Sequence, residues 1–77
     1  MDEKMKQLTE IFQDVFDNEG ITLTADTKIK EIKGWDSFIH ISLMAAVQDE
    51  FGVAYNIEEI MKLKTVGELI ASIEGKQ

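Results

Sequence analysis

Apolar positions recur at helical spacing in the first segment of the chain, roughly residues 2–16. Spacings of three and four residues put them on one stripe, which is typical of an amphipathic helix with a single buried face. The stripe consists of Met5, Leu8, Ile11, Phe12, Val15 and Phe16. The polar run 17–20 ends the pattern, and we expect Gly20 to close the helix in the left-handed conformation.

Residues 21–35 show no helical stripe. Residues 21–24 alternate weakly, but no second segment could pair with them as a strand, so the pattern predicts a long loop. Its apolar residues would pin it to a core: Ile21, Leu23, Ile29, Ile32 and Trp35. Ordered loops of this length are uncommon and often functional.

A second helix is predicted from Ser37 to Phe51, and its apolar residues cover more than one face. They are Phe38, Ile39, Ile41, Leu43, Met44, Ala45, Ala46, Val47 and Phe51. A helix with a single buried stripe needs fewer apolar residues. This helix is therefore either central to the fold or keeps an apolar face for a partner. Gly52 ends it.

Two further helices follow, each opened by a capping pattern. Asn56 with Glu59 starts a short helix over 56–61, and Thr65 with Glu68 starts a last helix that ends at Gly75. The predicted fold is therefore all-α. We expect a small four-helix bundle of three longer helices and one short one, with the long loop between the first and second, as one domain over residues 1–77.

Composition narrows the chemistry. The chain has 77 residues, 8 basic and 15 acidic, for a net charge of −7, with one histidine and no cysteine. Disulfides, thiolate metal sites and multi-histidine metal centres are excluded. The acidic balance disfavours nucleic acid and anionic lipid as partners. No stretch resembles a signal peptide or a membrane span, so we expect a cytoplasmic protein. We also expect a monomer.

The sequence offers a candidate calcium loop and a candidate catalytic pair, and neither meets the requirements of its chemistry. Residues 14–20 superficially match a calcium loop, but the register places Val15 where the first carboxylate ligand is needed. His40 follows Ser37 by three residues, yet no oxyanion hole or third group accompanies the pair. We therefore expect His40 to be packed or hydrogen-bonded to a loop, and we expect no catalysis by this chain.

Asp36 and Ser37 stand at the start of the second helix. A helix N-terminus offers unpaired N–H groups to a phosphate or another anion. Ser37 could be an ordinary first-turn residue behind an Asp36 cap, or a hydroxyl that carries a phosphoester. The two residues alone leave both interpretations open.

The surrounding motifs favour the second interpretation. The chain reads GWDSF at 34–38, DEFGV at 49–53 and LKTVGEL at 63–69, in that order. With this set of motifs the whole chain resembles the acyl carrier protein family, including peptidyl and polyketide carrier domains. The resemblance implies a 4′-phosphopantetheine arm, donated by coenzyme A, on Ser37. It also implies that Asp36 caps the helix and is recognised by the phosphopantetheinyl transferase.

In that family the arm holds acyl intermediates as thioesters for loading and processing enzymes, and the carrier itself is not an enzyme. This chain departs from the family pattern after the serine, where Phe38 replaces the usual leucine. Carriers of primary fatty acid synthesis usually have several acids on this part of the helix. Three positions differ here: Ile39, His40 and Ser42.

We therefore expect a more apolar partner interface, with Ile41 and Ala45 beside the arm, one and two turns along from Ser37. This favours a specialised fatty acid, lipid or polyketide-type pathway. Two alternatives remain. The chain could be an aminoacyl or peptidyl carrier loaded by an adenylating enzyme, or a helical interaction module without a cofactor.

Overall fold

The computed structural model describes residues 2–77, which form four α-helices: α1 (Asp2–Val15), α2 (Ser37–Phe51), α3 (Ile57–Lys62) and α4 (Val66–Lys76). A short 3₁₀ turn (Ile29–Glu31) interrupts the loop between α1 and α2. The part of the chain that is described contains no strand, only an isolated bridge between Lys28 and Thr65. The all-α prediction, with three longer helices, one short helix and a long first loop, is confirmed.

α1 ends differently from the expectation. The left-handed residue is Asp17, with φ of 53°, and Gly20 does not have a positive φ. Asn18 N–H donates to the Gln13 carbonyl at 2.9 Å, which closes the helix around Asp17. The prediction that Gly20 closes α1 was wrong because aspartate also tolerates the left-handed region, and the chain reaches it sooner.

The core is built from buried residues of all four helices and of the loops between them. From α1 it takes Leu8 and Phe12, and Phe16 stacks on Phe12 with ring centroids 5.9 Å apart. The buried members contributed by the other helices are Leu43, Met44 and Val47 of α2, Ile60 of α3, and Val66, Leu69, Ile70 and Ile73 of α4. α2 is thus central; of its other apolar residues, Phe51 also packs against the core, whereas Phe38, Ile41 and Ala45 are exposed.

The long loop is tied to the start of α4 by backbone hydrogen bonds. Ile29 N–H donates to the Lys64 carbonyl, and Val66 N–H donates to the Thr27 carbonyl, each at 2.9 Å. Ile29 and Ile21 are buried, and Leu23, Ile32 and Trp35 pack against the core, as predicted. The loop that leads to Ser37 is therefore an ordered part of the fold.

The cap of α3 is a complete capping box. Glu59 N–H donates to Asn56 Oδ1 at 2.8 Å, and Asn56 N–H donates to Glu59 Oε1 at 3.0 Å. Lys76 Nζ lies 2.8 Å from the other Glu59 oxygen. This hydrogen bond from Lys76, together with the one from the Asn56 backbone, holds the pKa of the Glu59 carboxyl below 4.5.

The cap of α4 is only half of the predicted pattern. Thr65 Oγ1 accepts from Glu68 N–H at 3.1 Å, as expected. The Glu68 carboxylate, however, accepts from Lys64 N–H at 2.9 Å, one residue further back than a capping box requires. Glu68 still satisfies a backbone donor before the helix, so the start of α4 is fixed.

The helices are short, and α2 is the longest at 15 residues. Over residues 2–77, none of them combines the length and the apolar character needed to cross a membrane.

Candidate functional site

Asp36 is the cap that starts α2. Its backbone is extended, with φ of −151° and ψ of 179°, and its Oδ1 accepts from Ile39 N–H at 2.7 Å. The Asp36 carbonyl accepts the first helical bond, from His40 N–H at 2.9 Å. This geometry makes Ser37 the first residue of the helix and leaves its side chain exposed.

The Ser37 hydroxyl meets the requirements for a phosphoester. Among the residues described, it has no hydrogen-bond partner, and the N–H groups of Ser37 and Phe38 donate to no protein atom. Those two groups lie at the positive end of α2, where an exposed negative charge is stabilised by roughly 0.3–1 kcal/mol. The residues present therefore fit a phosphate group bonded to Ser37 Oγ.

His40 is 2% exposed and uses both ring nitrogens in hydrogen bonds. Trp35 Nε1–H donates to His40 Nδ1 at 3.2 Å, and His40 Nε2 lies 2.9 Å from the Ile60 carbonyl. Because the indole can only donate and the carbonyl can only accept, the ring is the neutral tautomer with its proton on Nε2. The prediction of a packed, hydrogen-bonded histidine is confirmed.

This arrangement removes His40 as a base for Ser37, since neither ring nitrogen is available to the hydroxyl. It instead joins three elements around the serine. Trp35 belongs to the loop that presents Ser37, His40 to α2, and Ile60 to the last turn of α3. The Ile60 carbonyl is one of those that a helix end leaves without a helical partner.

Several large apolar side chains of α2 and α3 are exposed. The four with the greatest exposure are Phe38 (76%), Ile57 (69%), Met61 (57%) and Ile41 (55%). We call these four residues the apolar surface. Two of them lie on α2 and two on α3, and Ile41 and Met61 line the same small cavity.

Ile41 is exposed, and so is Ala45, one turn further along α2. The sequence did not identify the α3 members of the apolar surface. Ile57 and Met61 are four residues apart and exposed, whereas Ile60 of the same short helix is buried in the core. That spacing was the available signal, but six residues are too few for a stripe to be distinguished.

Comparison with known proteins agrees with these features. The family model described as "Phosphopantetheine attachment site" matches residues 6–73. The chain is similar to acyl carrier protein MbtL of Mycobacterium sp. (strain MCS), with 33% identity over 69 residues, 90% of this chain and 78% of that protein. MbtL of Mycobacterium tuberculosis (strain H37Rv) is also 33% identical over 69 residues, with 90% and 82% covered.

The fold is also similar to that of a solved structure. The holo acyl carrier protein of Geobacter metallireducens, determined in solution by NMR, superposes with a TM-score of 0.83 and 35% identity. The match covers 94% of this chain and 83% of that one. The chain therefore belongs to the acyl carrier protein family, and its prosthetic group is a covalently attached 4′-phosphopantetheine.

Proposed function

We propose that Ser37 is the attachment residue and that the chain carries acyl intermediates for a specialised set of enzymes. The observation that supports this most directly is the exposed Ser37 hydroxyl at the capped start of α2, which has no hydrogen-bond partner within residues 2–77. In the loading reaction Ser37 Oγ bonds to the phosphorus of coenzyme A that bears the pantetheine. Adenosine 3′,5′-bisphosphate leaves, and the transferase takes up the hydroxyl proton.

The arm supplies a terminal thiol, on which the cargo is held as a thioester. This chain contributes the rest of the function: it fixes Ser37 at an accessible position and offers no thiol of its own, because it has no cysteine. The Asp36 carboxylate sets the start of α2 and lies where the transferase must approach, which supports its role in recognition.

The apolar surface supports a specialised set of partners. No acidic residue occurs between Asp36 and Asp49, so the exposed face of α2 near Ser37 carries no negative side chain. Phe38, Ile41 and Ala45 are exposed on this face. Partner enzymes that dock there must present apolar side chains of their own, because buried apolar area and not charge pairing would hold the complex.

Loading tests the attachment residue. The chain is incubated with coenzyme A and a phosphopantetheinyl transferase, and its intact mass is measured. We expect the wild type to gain one phosphopantetheine, Ser37→Ala to gain none, and Ser42→Ala, a control serine on the same helix, to gain one. A wild type that stays unmodified while another carrier protein is loaded under the same conditions would contradict the proposal.

The same loaded samples identify the class of cargo. They are offered in parallel to fatty-acyl ligases with fatty acids and to adenylating enzymes with amino acids, and the added mass is read. We expect acyl groups to be added. Addition of amino acids alone would make the chain an aminoacyl carrier, with Ser37 unchanged in its role.

A further inference from the structure

A small cavity of about 50 Å³ opens beside the Ser37 side chain. It is larger than the roughly 30 Å³ that one water occupies in the liquid, and far too small for a whole pantetheine arm. Its walls come from the loop, α2 and α3, and they are mostly apolar. The lining residues are Lys30, Trp35, Ser37, His40, Ile41 and Met61.

The indole wall of this cavity is held in place. Trp35 donates its indole N–H to His40, whose ring meets the indole edge-on with centroids 5.7 Å apart. His40 is in turn fixed to the Ile60 carbonyl. A wall that is ordered before binding loses little conformational entropy when a ligand packs against it.

Lys30 supplies a positive charge at the same cavity. Its Nζ lies 5.8 Å from the centroid of the Trp35 ring, within the range of a cation–π contact. In the part of the chain that is described, Lys30 pairs with no carboxylate, whereas its neighbour Lys28 lies 3.9 Å from Glu31. The Lys30 ammonium is therefore free to meet an anion at Ser37.

We propose that Lys30 and Trp35 form a cradle for the first part of the phosphopantetheine arm. The Lys30 ammonium pairs with the phosphodiester on Ser37. The dimethyl group of the pantoate unit, which follows the phosphate, packs in the cavity against Trp35, Ile41 and Met61. This inference rests on the proposed attachment at Ser37.

The cradle gives the arm a resting position on the protein surface. An ion pair and one apolar contact, both partly exposed, bind the arm weakly, so a partner enzyme can draw it out. The cradle holds only the proximal part of the arm. The distal thiol and its cargo are left free to reach an active site.

Trp35 is the only tryptophan in the chain, which makes the test direct. The protein is loaded, the mass on Ser37 is verified, and nuclear Overhauser effects are measured between the pantoate methyls and the indole protons. The same measurement is made on loaded Lys30→Gln and Lys30→Arg. Loaded Lys33→Gln serves as the matched control, because Lys33 is exposed on the same loop and does not line the cavity.

We expect these effects in the wild type and in Lys33→Gln. In Lys30→Gln their intensity should fall about two- to fivefold, the range for loss of one exposed ion pair, and Lys30→Arg should restore it. The emission of Trp35 should also change between the unloaded and loaded wild type.

Two results would overturn the cradle while leaving the attachment intact. One is a chain loaded on Ser37 that shows no contact between the pantoate methyls and Trp35. The other is a Lys30→Gln spectrum identical to that of the wild type. Failure of Ser37 to take the arm would overturn the proposed function, and the cradle with it.

Discussion

His40 shows how one side chain can shape the site without taking part in chemistry. Its two hydrogen bonds join the loop before Ser37 to the end of α3. A leucine would fill much of the same volume but would leave the Trp35 N–H and the Ile60 carbonyl without their partner. Unmade hydrogen bonds of buried groups typically cost about 1–3 kcal/mol.

We expect His40→Leu to lower the free energy of unfolding by about 1–3 kcal/mol, measured by urea denaturation. A double-mutant cycle with Trp35→Phe should give a coupling energy of at least about 0.5 kcal/mol, because the two residues share a hydrogen bond. Loading of Ser37 by the transferase should persist in His40→Leu. Additive effects of the two substitutions would contradict the hydrogen bond between Trp35 and His40. Loss of loading in a folded His40→Leu variant would show that His40 takes part in the loading reaction.

At the scale of elements, the docking of the long loop on α4 depends on Gly67. Its N–H donates to the Ala25 carbonyl at 2.9 Å, so the two backbones lie in close contact. A Cβ added at residue 67 would stand 2.9 Å from the same oxygen and 3.3 Å from the Ala25 Cβ. Since the first of these atoms is backbone, the loop would have to move.

We expect Gly67→Ala to destabilise the protein by about 1–3 kcal/mol, although alanine is the better helix former. Gly75→Ala in the same helix is the matched control, because nothing lies within 4 Å of its added Cβ. That variant should be neutral or more stable by up to about 1 kcal/mol. Both are compared by thermal unfolding, and equal effects of the two substitutions would contradict the close packing of loop and helix.

The elements that sequence predicts well are those that local signals specify. The stripe of α1, the Asn56 capping box and the end of α2 at Gly52, which has φ of 65°, each depend on residues within a few positions. The start of α2 was predictable as well, because Asp36 is a typical cap for a helix that begins at Ser37. The motif order, and not any single motif, pointed to the family.

What sequence did not reveal depends on contacts between distant segments. The bond from His40 to the Ile60 carbonyl spans 20 residues. The cavity beside Ser37 needs the loop, α2 and α3 together, and Lys30 lines it from the 3₁₀ turn. The spacing of apolar residues along the chain does not predict such contacts between distant segments.

At the scale of the whole molecule, charge is unevenly distributed. Carboxylates gather around the second half of α1, where two surface depressions are lined by Glu10, Asp14, Asp17, Glu19 and Glu50 among others. Lysines 28, 30 and 64 line one groove of about 370 Å³ beside the 3₁₀ turn, together with Glu31 and Glu68. None of the four residues of the apolar surface lines the acidic depressions, so the carboxylates there act on partners at α2 mainly from a distance.

Docking at α2 should therefore respond more to apolar contact than to salt. We expect kcat/KM for loading by the transferase to fall less than about threefold between 50 and 300 mM KCl, whereas association steered by charge falls steeply over such a range. Ala45→Glu should lower kcat/KM at least about tenfold, because it places an unpaired charge in an apolar interface. Ala71→Glu, the same substitution at an exposed alanine of α4, should leave it unchanged. A steep decline of kcat/KM with salt, or an equal loss of kcat/KM in the two glutamate variants, would contradict this. The transferase would then recognise the negative charge of the protein and not the exposed face of α2.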